Sequence, residues 1–312
     1  MKHFIILFFV AQSLFSMAQQ AAQTGLYNFN PLQFNPAYAG SRQCINATLV
    51  HRSQWVGLAD APRTQFLSVH APIETKKLGV GVTVMNDKVG VRSNVSALVN
   101  LAYHLKFKKS QWQVSLGLSG GVINQRADFS TLQVFDANDP KYLTSYSLTK
   151  FNFGAGIYAF REKAFIGLSV PQILEPMIGI RINPYLLDNN QENPFSYLQR
   201  HSYLTAGLIL PIKERLELKP SILLKYTANA PLSIDLNFSA LINKQFWLGA
   251  MYRYNEGVGV NFAYSPANKW SIGYAFEFPI NQLTYLNKGS HELCLSFDFR
   301  GKQNGPKAFT YF

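Results

Sequence analysis

Residues 291–300 read HELCLSFDFR and alternate strictly between apolar and polar side chains. One face of this segment would carry Leu293, Leu295, Phe297 and Phe299, and the other face would carry the residues between them. Side chains of a β-strand point alternately to opposite faces, so this pattern predicts a strand with one apolar and one polar face. The same alternation recurs along most of the chain, which therefore predicts an all-β protein.

Marking each alternating run gives about fourteen predicted strands, and the connections between them fall into two classes. Every second connection is a turn of a few residues. The remaining connections include the longer loops 56–63, 87–92, 127–149, 171–197 and 280–290. Bacterial outer-membrane barrels have an even number of antiparallel strands, short periplasmic turns and longer external loops. The sequence therefore predicts a transmembrane antiparallel β-barrel of about 14 strands over residues 42–300, with the short turns in the periplasm.

The composition separates a membrane barrel from a soluble β-sandwich, which is the structural alternative. Charged residues make up only 15% of the chain and aromatic residues 14%, whereas soluble domains carry about 25% charged residues. The polar faces of the predicted strands are mostly Ser, Gly, Asn and Gln with scattered charges, as expected of a hydrated lumen. Closing the sheet also removes the unpaired strand edges that lipid does not tolerate. These features favour the barrel.

The first residues predict export. Residues 1–18 combine a positive start, a short apolar run at 4–10 and small residues before a cleavage site after Ala18, which is the pattern of a signal peptide. The apolar run is well below the roughly 20 residues of a membrane-spanning helix. We therefore expect a cleaved signal peptide, a periplasmic N-terminal segment at 19–41, the barrel in the cell outer membrane, and a C-terminal tail at 301–312.

Several functional classes are disfavoured by the sequence. The formal net charge is +12, but an exported chain without arginine-rich runs or an RNA-binding aromatic motif predicts no nucleic-acid partner. The histidines lack HExxH or HxxxH spacing and no GxSxG motif is present, so we expect no zinc site, no cofactor and no enzymatic activity. Cys44 and Cys294 fall at different heights of the first and last strands, so we expect no disulfide between them.

Three segments resemble one protein family. They are Asn35–Pro72, which contains Gln54-Trp55-Val56-Gly57 and Ala61-Pro62-Arg63-Thr64, then Asn86–Gly90, and Gly289–Leu293. Together they resemble the PorP/SprF family of outer-membrane proteins, associated with type IX secretion and gliding motility in Bacteroidetes. The resemblance extends from about Asn30 to Arg300, nearly the whole mature chain.

The resemblance implies a non-enzymatic component of the type IX secretion system. Such a protein would assist the secretion or surface anchoring of a cargo adhesin, contact periplasmic components of the machinery and be surrounded by outer-membrane lipid. Barrel architecture alone does not name a function. The alternative is an outer-membrane porin or small-molecule transporter, which an open lumen would favour; an outer-membrane enzyme is a third, minor one.

The first strand carries polar residues for which two interpretations stay open. Arg52 and Gln54 share a face that we expect to point into the lumen near the outer rim, next to Trp55. One interpretation is an internal ion pair, with Asp298 or Glu292 on the last strand, because a buried charge must be neutralised. The other is a rim site that receives a partner.

Further candidate residues lie in predicted loops. We expect Pro62 and Thr64 to shape the loop that returns over the barrel mouth. Residues Asn86, Asp87 and Lys88 belong to a predicted turn that ends at Gly90, where a positive φ is expected, and this turn offers too few oxygen ligands for a cation. At the start of the last strand, His291 and Glu292 are expected to cap a loop or to pair with Arg52.

Basic residues collect in the short turns, and these also have two interpretations. They can anchor the turns at lipid headgroups, or they can form a ring that docks an acidic periplasmic partner. The loops 127–149 and 171–197 are further candidates for partner contact because long loops are often functional. The basic residues concerned are Lys76, Lys77, Lys106, Lys108, Lys109, Arg161, Lys163, Lys213, Arg215, Lys244 and Lys269.

Small residues at every second position predict close packing inside the barrel. Gly79 with Gly81, and Gly154 with Gly156, each place two glycines on one face of a strand. A strand face without side chains lets a neighbouring chain or a plug approach its backbone. They have no phosphate-loop continuation, so we expect a structural role.

Overall fold

The computed structural model describes residues 22–73, 76–107, 110–129, 145–174, 177–178, 196–197, 199–228, 230–266 and 269–299. Three 3-10 helices, Tyr27–Phe29, Pro31–Gln33 and Pro36–Tyr38, precede the strands, and a fourth covers Gln282–Tyr285. None of the helices in this part of the chain is long and apolar enough to cross a membrane. The strands are β1 Ile45–Ser53, β2 Arg63–Ile73, β3 Leu78–Val89, β4 Arg92–Lys106, β5 Gln113–Asp128, β6 Ser145–Arg161, β7 Ala164–Val170, β8 Met177–Ile178, β9 Ser196–Tyr197, β10 His201–Leu208, β11 Leu210–Lys213, β12 Leu216–Thr227, β13 Ser233–Ile242, β14 Phe246–Arg253, β15 Gly257–Tyr264, β16 Trp270–Pro279 and β17 Ser290–Phe299.

The sheet closes on itself through antiparallel pairs. Strand β1 pairs with β17, and β10 pairs with both β7 and β12, so the order of strands forms a ring. Strands β10 and β11 both pair with β12 and act as two parts of one barrel strand. Apart from the separate pair β8–β9, the described residues therefore build a closed barrel of fourteen strands. The predicted fold and strand number are confirmed.

The two faces of the wall follow the alternation of the sequence. On β17, Leu293 and Phe297 are exposed on the outside, whereas Glu292 and Ser296 are buried inside. Each backbone N–H and C=O of a closed wall finds its partner in a neighbouring strand, which is what a hydrocarbon environment demands. The apolar face is therefore the outer, lipid-facing surface, and the polar face lines the lumen.

The wall is taller on one side than on the other. Strands β3 to β6 have 12, 15, 16 and 17 residues, and the following strand β7 has only 7. The extra length lies at the end with the longer loops. It includes Asn86–Val89, which pair with β4, so the predicted turn is shorter than expected and Asn86, Asp87 and Lys88 are strand residues. Gly90 does adopt the predicted positive φ, at 58°.

Some predicted segments lie outside the described residues. These are the signal peptide at 1–18, the tail at 301–312, and most of the loops 127–149 and 171–197. Two cysteines can be placed. Cys294 lies opposite Val50 in the pairing of β1 with β17, so Cys44, which precedes β1, lies at a different height, as the sequence predicts.

Candidate functional site

The segment expected in the periplasm lies inside the barrel. Of residues 19–41, those that the structure describes pack against the inner wall, and their apolar side chains are buried: Leu26 is 1% exposed, Leu32 3% and Ala37 0%. We call residues 23–42 the plug segment. The expected organisation had a separate periplasmic segment before the barrel. In the structure, the described part of that segment is packed inside the barrel.

The plug segment passes through the lumen from one mouth to the other. At the end with the longer loops, the Gln23 side chain donates a hydrogen bond to Glu256 (2.7 Å), in the turn between β14 and β15. At the opposite end, the Arg42 guanidinium lies 3.2 Å from Asp298, near the end of β17. We call these ends the long-loop mouth and the short-turn mouth. The chain therefore crosses the lumen from the long-loop mouth to the short-turn mouth before β1 begins.

The backbone of the plug segment lies directly on the inner wall. A Cβ built on Gly117 would overlap the backbone of Ala37, and one on Gly79 would overlap the carbonyl of Ala39. The glycines at these inward positions make room for a second chain, which the sequence predicts for Gly79 but not for Gly117. Asn35 adds polar contacts, since its side chain accepts from the Ala37 N–H (3.0 Å) and donates to the Ile157 carbonyl (2.9 Å).

Lumen side chains satisfy the polar groups of the plug segment. The Ser68 hydroxyl donates to Asn30 (2.8 Å), and the Ser169 hydroxyl donates to the Phe34 carbonyl (2.9 Å). Two histidines act in the same way: the Gly40 N–H donates to His70 Nδ1 (3.1 Å), and His104 Nε2 lies 3.0 Å from the Ala39 carbonyl. Buried polar groups are costly unless paired, so these contacts hold the segment in one path.

A buried group of charges lies near the long-loop mouth, and we call it the charged cluster. Arg52 contacts Glu277 at 3.1 Å and Glu292 at 3.2 Å. Arg253 contacts Asp235 at 2.8 Å and Glu277 at 2.5 Å. Lys225 lies 3.5 Å from Asp235. These three cations and three anions balance one another, which is how buried charges become tolerable.

The charged cluster also holds the start of the plug segment. Glu292 accepts hydrogen bonds from the Gly25 N–H (2.7 Å), the Leu26 N–H (3.1 Å) and the Thr24 hydroxyl. Arg253 donates to the Gln23 side chain at 3.0 Å. Wall and plug thus share one network of charge-assisted hydrogen bonds, which are stronger than neutral ones.

The predicted internal ion pair of Arg52 is present, with Glu292 as its partner on the last strand. The other candidate, Asp298, pairs with Arg42 instead. Sequence reasoning missed Arg253 and Glu277. The sequence did contain a signal for them. Several predicted strands carry a charged residue on the polar, inward face near the same end, and such residues can pair across the lumen.

The remaining predicted site residues are spread around the long-loop mouth. The Gln54 N–H donates to the Pro62 carbonyl (2.9 Å), and the Trp55 N–H donates to the Ser290 hydroxyl (3.1 Å). These bonds tie the β1–β2 loop back on itself and onto the start of β17. His291 lies on the other face from Glu292 and contacts the Tyr274 hydroxyl at 2.6 Å, so of these two neighbours it is Glu292 that pairs with Arg52.

A second small group forms between β2 and β3. The Thr64 hydroxyl donates to Asp87 (2.6 Å), and the Asn86 side chain donates to Gln65 (2.7 Å). Lys88 is exposed on the outer face of the wall. In the described part of the chain, no group of three or more His, Cys, Asp or Glu side chains is arranged to hold a metal ion.

The short-turn mouth is surrounded by exposed basic residues. The described members of the predicted set are all exposed, and Arg161 lies 5.2 Å from the ring centre of Trp112. Lys108 and Lys109 lie outside the described residues. The exposed members are Lys76, Lys77, Lys106, Arg161, Lys163, Lys213, Arg215, Lys244 and Lys269.

Comparisons with known proteins identify a family and a fold. The family model for "Type IX secretion system membrane protein PorP/SprF" matches residues 16–297. No curated protein matches the sequence. Among solved structures, the Acinetobacter baumannii outer membrane protein Omp33 is 8% identical, with 82% of this chain and 99% of that chain covered and a TM-score of 0.47. The Ralstonia pickettii toluene transporter TbuX is 10% identical, with 89% and 94% covered and a TM-score of 0.50. At such low identity the structural likeness concerns the fold alone.

Proposed function

Because the chain belongs to the PorP/SprF family of type IX secretion system membrane proteins, we propose that it holds a secreted adhesin at the cell surface or assists its export. The barrel fold and the family place the protein in the outer membrane. In this proposal it acts as a scaffold and catalyses no reaction. It reaches the membrane with a signal peptide cleaved after Ala18, and its cargo serves gliding motility in a member of the Bacteroidetes.

The filled lumen is the observation that carries the proposal. A diffusive porin needs a continuous water-filled path, but the plug segment occupies the lumen along its whole height and is bonded to the wall at both mouths. The charged cluster further fills the lumen near the long-loop mouth with paired side chains. These features support an anchor or assembly component over the alternative, a porin or small-molecule transporter.

The basic short-turn mouth supports a contact with periplasmic components of the machinery. Nine exposed cationic side chains lie in the described short turns or on the strand residues next to them. Clustered charges of one sign attract an oppositely charged surface and make association sensitive to salt. In the proposal, these residues dock an acidic face of a periplasmic partner while the outer wall contacts lipid.

Co-purification from the native outer membrane tests the proposal. We expect gentle extraction of the tagged protein to recover type IX components or a large secreted adhesin. The periplasmic partner should be lost when salt is raised, and in a variant with Lys213→Glu, Arg215→Glu and Lys244→Glu. Lys88→Glu, at the opposite end of the barrel, is the matched control and should retain it. A barrel that is recovered alone at low salt would refute the proposal.

A further inference from the structure

A cavity of about 360 Å³ opens at the long-loop mouth, between the plug segment and the tall side of the wall. The plug segment contributes Phe34 to its lining, and strands β2 to β4 and β10 contribute most of the remaining apolar surface. Because this surface lies inside the lumen, lipid does not explain it. The apolar lining residues are Ala22, Phe34, Phe66, Met85, Val89, Leu98, Pro171 and Tyr203.

A cation lies at the rim of the cavity. Arg92 belongs to the lining and is exposed; among the contacts of the described residues, none gives it an acidic partner. The acidic residue of the lining, Asp87, accepts a hydrogen bond from the Thr64 hydroxyl instead. The rim therefore offers a positive charge to an incoming anionic group.

We propose that this cavity binds an extended peptide segment of the secreted partner, an inference that rests on the proposed function. The peptide places an apolar side chain against Phe66 and Leu98 and presents a carboxylate to Arg92. The volume accommodates one or two large side chains and excludes a folded domain. A hydrocarbon would match the apolar lining but would leave Arg92 without an anionic partner.

Binding of labelled peptides to the full chain in detergent micelles tests the inference. The probes are fluorescein-labelled Gly-Asp-Phe-Leu-Asp-Gly, its counterpart with lysines in place of the aspartates, and its counterpart with serines in place of the apolar pair. We expect the first peptide to bind at least about tenfold more tightly than the other two in fluorescence anisotropy. Equal binding of the three, or displacement of an apolar dye with no peptide binding, would overturn the inference.

Variants of the lining sharpen the test. Ser96→Phe fills the cavity and Arg92→Glu reverses the charge at its rim, so each should weaken binding of the acidic peptide at least about tenfold. Lys88→Glu is the matched control, because Lys88 lies at the same mouth but outside the lining. Heat-modifiable migration in gels verifies that each variant forms a barrel. If both lining variants fold and bind like the unmodified protein, the inference is wrong.

Co-purification separates this inference from the proposed function. If the unmodified protein recovers no secreted protein, the proposed function itself fails. If the unmodified protein recovers one and the folded Ser96→Phe and Arg92→Glu variants recover it equally well, the proposed function stands and the cavity is not its docking site. Loss of the secreted protein from these two variants, but not from Lys88→Glu, supports the cavity.

Discussion

The carboxylate of Glu292 joins the wall to the plug segment, so we expect its charge to matter for stability. The substitution Glu292→Gln keeps the shape of the side chain but leaves Arg52 with Glu277 alone, and it weakens the bonds to Gly25 and Leu26. Because removing one partner of a buried ion pair leaves a charge uncompensated, the free energy of unfolding should fall by about 3 kcal/mol. Urea unfolding in detergent micelles measures this change.

The control for this substitution is Glu162→Gln, which removes an exposed carboxylate in a short turn. Exposed charges contribute little to stability, so this variant should unfold at nearly the same urea concentration as the unmodified protein. Equal unfolding midpoints for Glu292→Gln and Glu162→Gln would contradict the role assigned to the charged cluster.

Part of the charged cluster was predictable from sequence because β1 and β17 are the strands that close the barrel. Their register sets Arg52 directly across from Glu292 and Asp298 across from Asn46, and only the structure fixes that register. Arg253 and Glu277 could not be assigned in the same way. They lie on β14 and β16, which are separated by β15, so their side chains meet across that strand, where Gly257 has no side chain.

Among the elements, the plug segment depends most directly on contact with the wall, and Gly117 provides a test of that contact. The substitution Gly117→Val suits a strand, but its side chain would overlap the backbone of Ala37 and should displace the plug segment. Trypsin should then cut after Arg42 at least about tenfold faster, because proteolysis follows the population of the opened form. Mass spectrometry of the released fragments measures the cut.

Gly120→Val is the matched control, because Gly120 lies on the same strand and a Cβ at this position meets only the ring of Phe153 at 3.4 Å or more. It should leave the rate of cleavage after Arg42 unchanged. If Gly117→Val and Gly120→Val are cut equally slowly, the plug segment does not depend on contact with β5.

The strands were predictable from sequence and the plug segment was not, for a physical reason. A barrel strand can be recognised from its local sequence, because apolar residues that face lipid alternate with polar residues that face the lumen. The plug segment has no such periodicity. The glycines of the wall indicate that a second chain can pack there, but the short 3-10 helices of the plug segment, such as Pro36–Tyr38, carry no pattern that marks them as that chain. Asn86 and Asp87 favour turns, but here their backbone pairs with β4, and this pairing outweighs their preference for a turn.

At the scale of the whole molecule, charge is arranged in two different ways. Inside the lumen, the cations and anions of the charged cluster neutralise one another. Outside, exposed basic residues surround the short-turn mouth, and a large part of the net charge of +12 lies there. The first arrangement joins the plug segment to the wall, and the second leaves exposed cations at one end of the barrel. This arrangement fits the proposed binding at the ends of the barrel better than passage through its centre.

Conductance in planar lipid bilayers tests this view of the closed centre. The full chain should give no stable conductance steps, because the plug segment fills the lumen and the charged cluster is bonded to it. A variant in which residues 23–41 are replaced by a Gly-Ser sequence of equal length removes those bonds but leaves the fourteen strands unchanged. It should open steps at least about tenfold above the background, since water then fills the path that the plug segment occupied. Stable steps from the full chain would instead favour a porin, and they would show that the path through the lumen remains open around the plug segment.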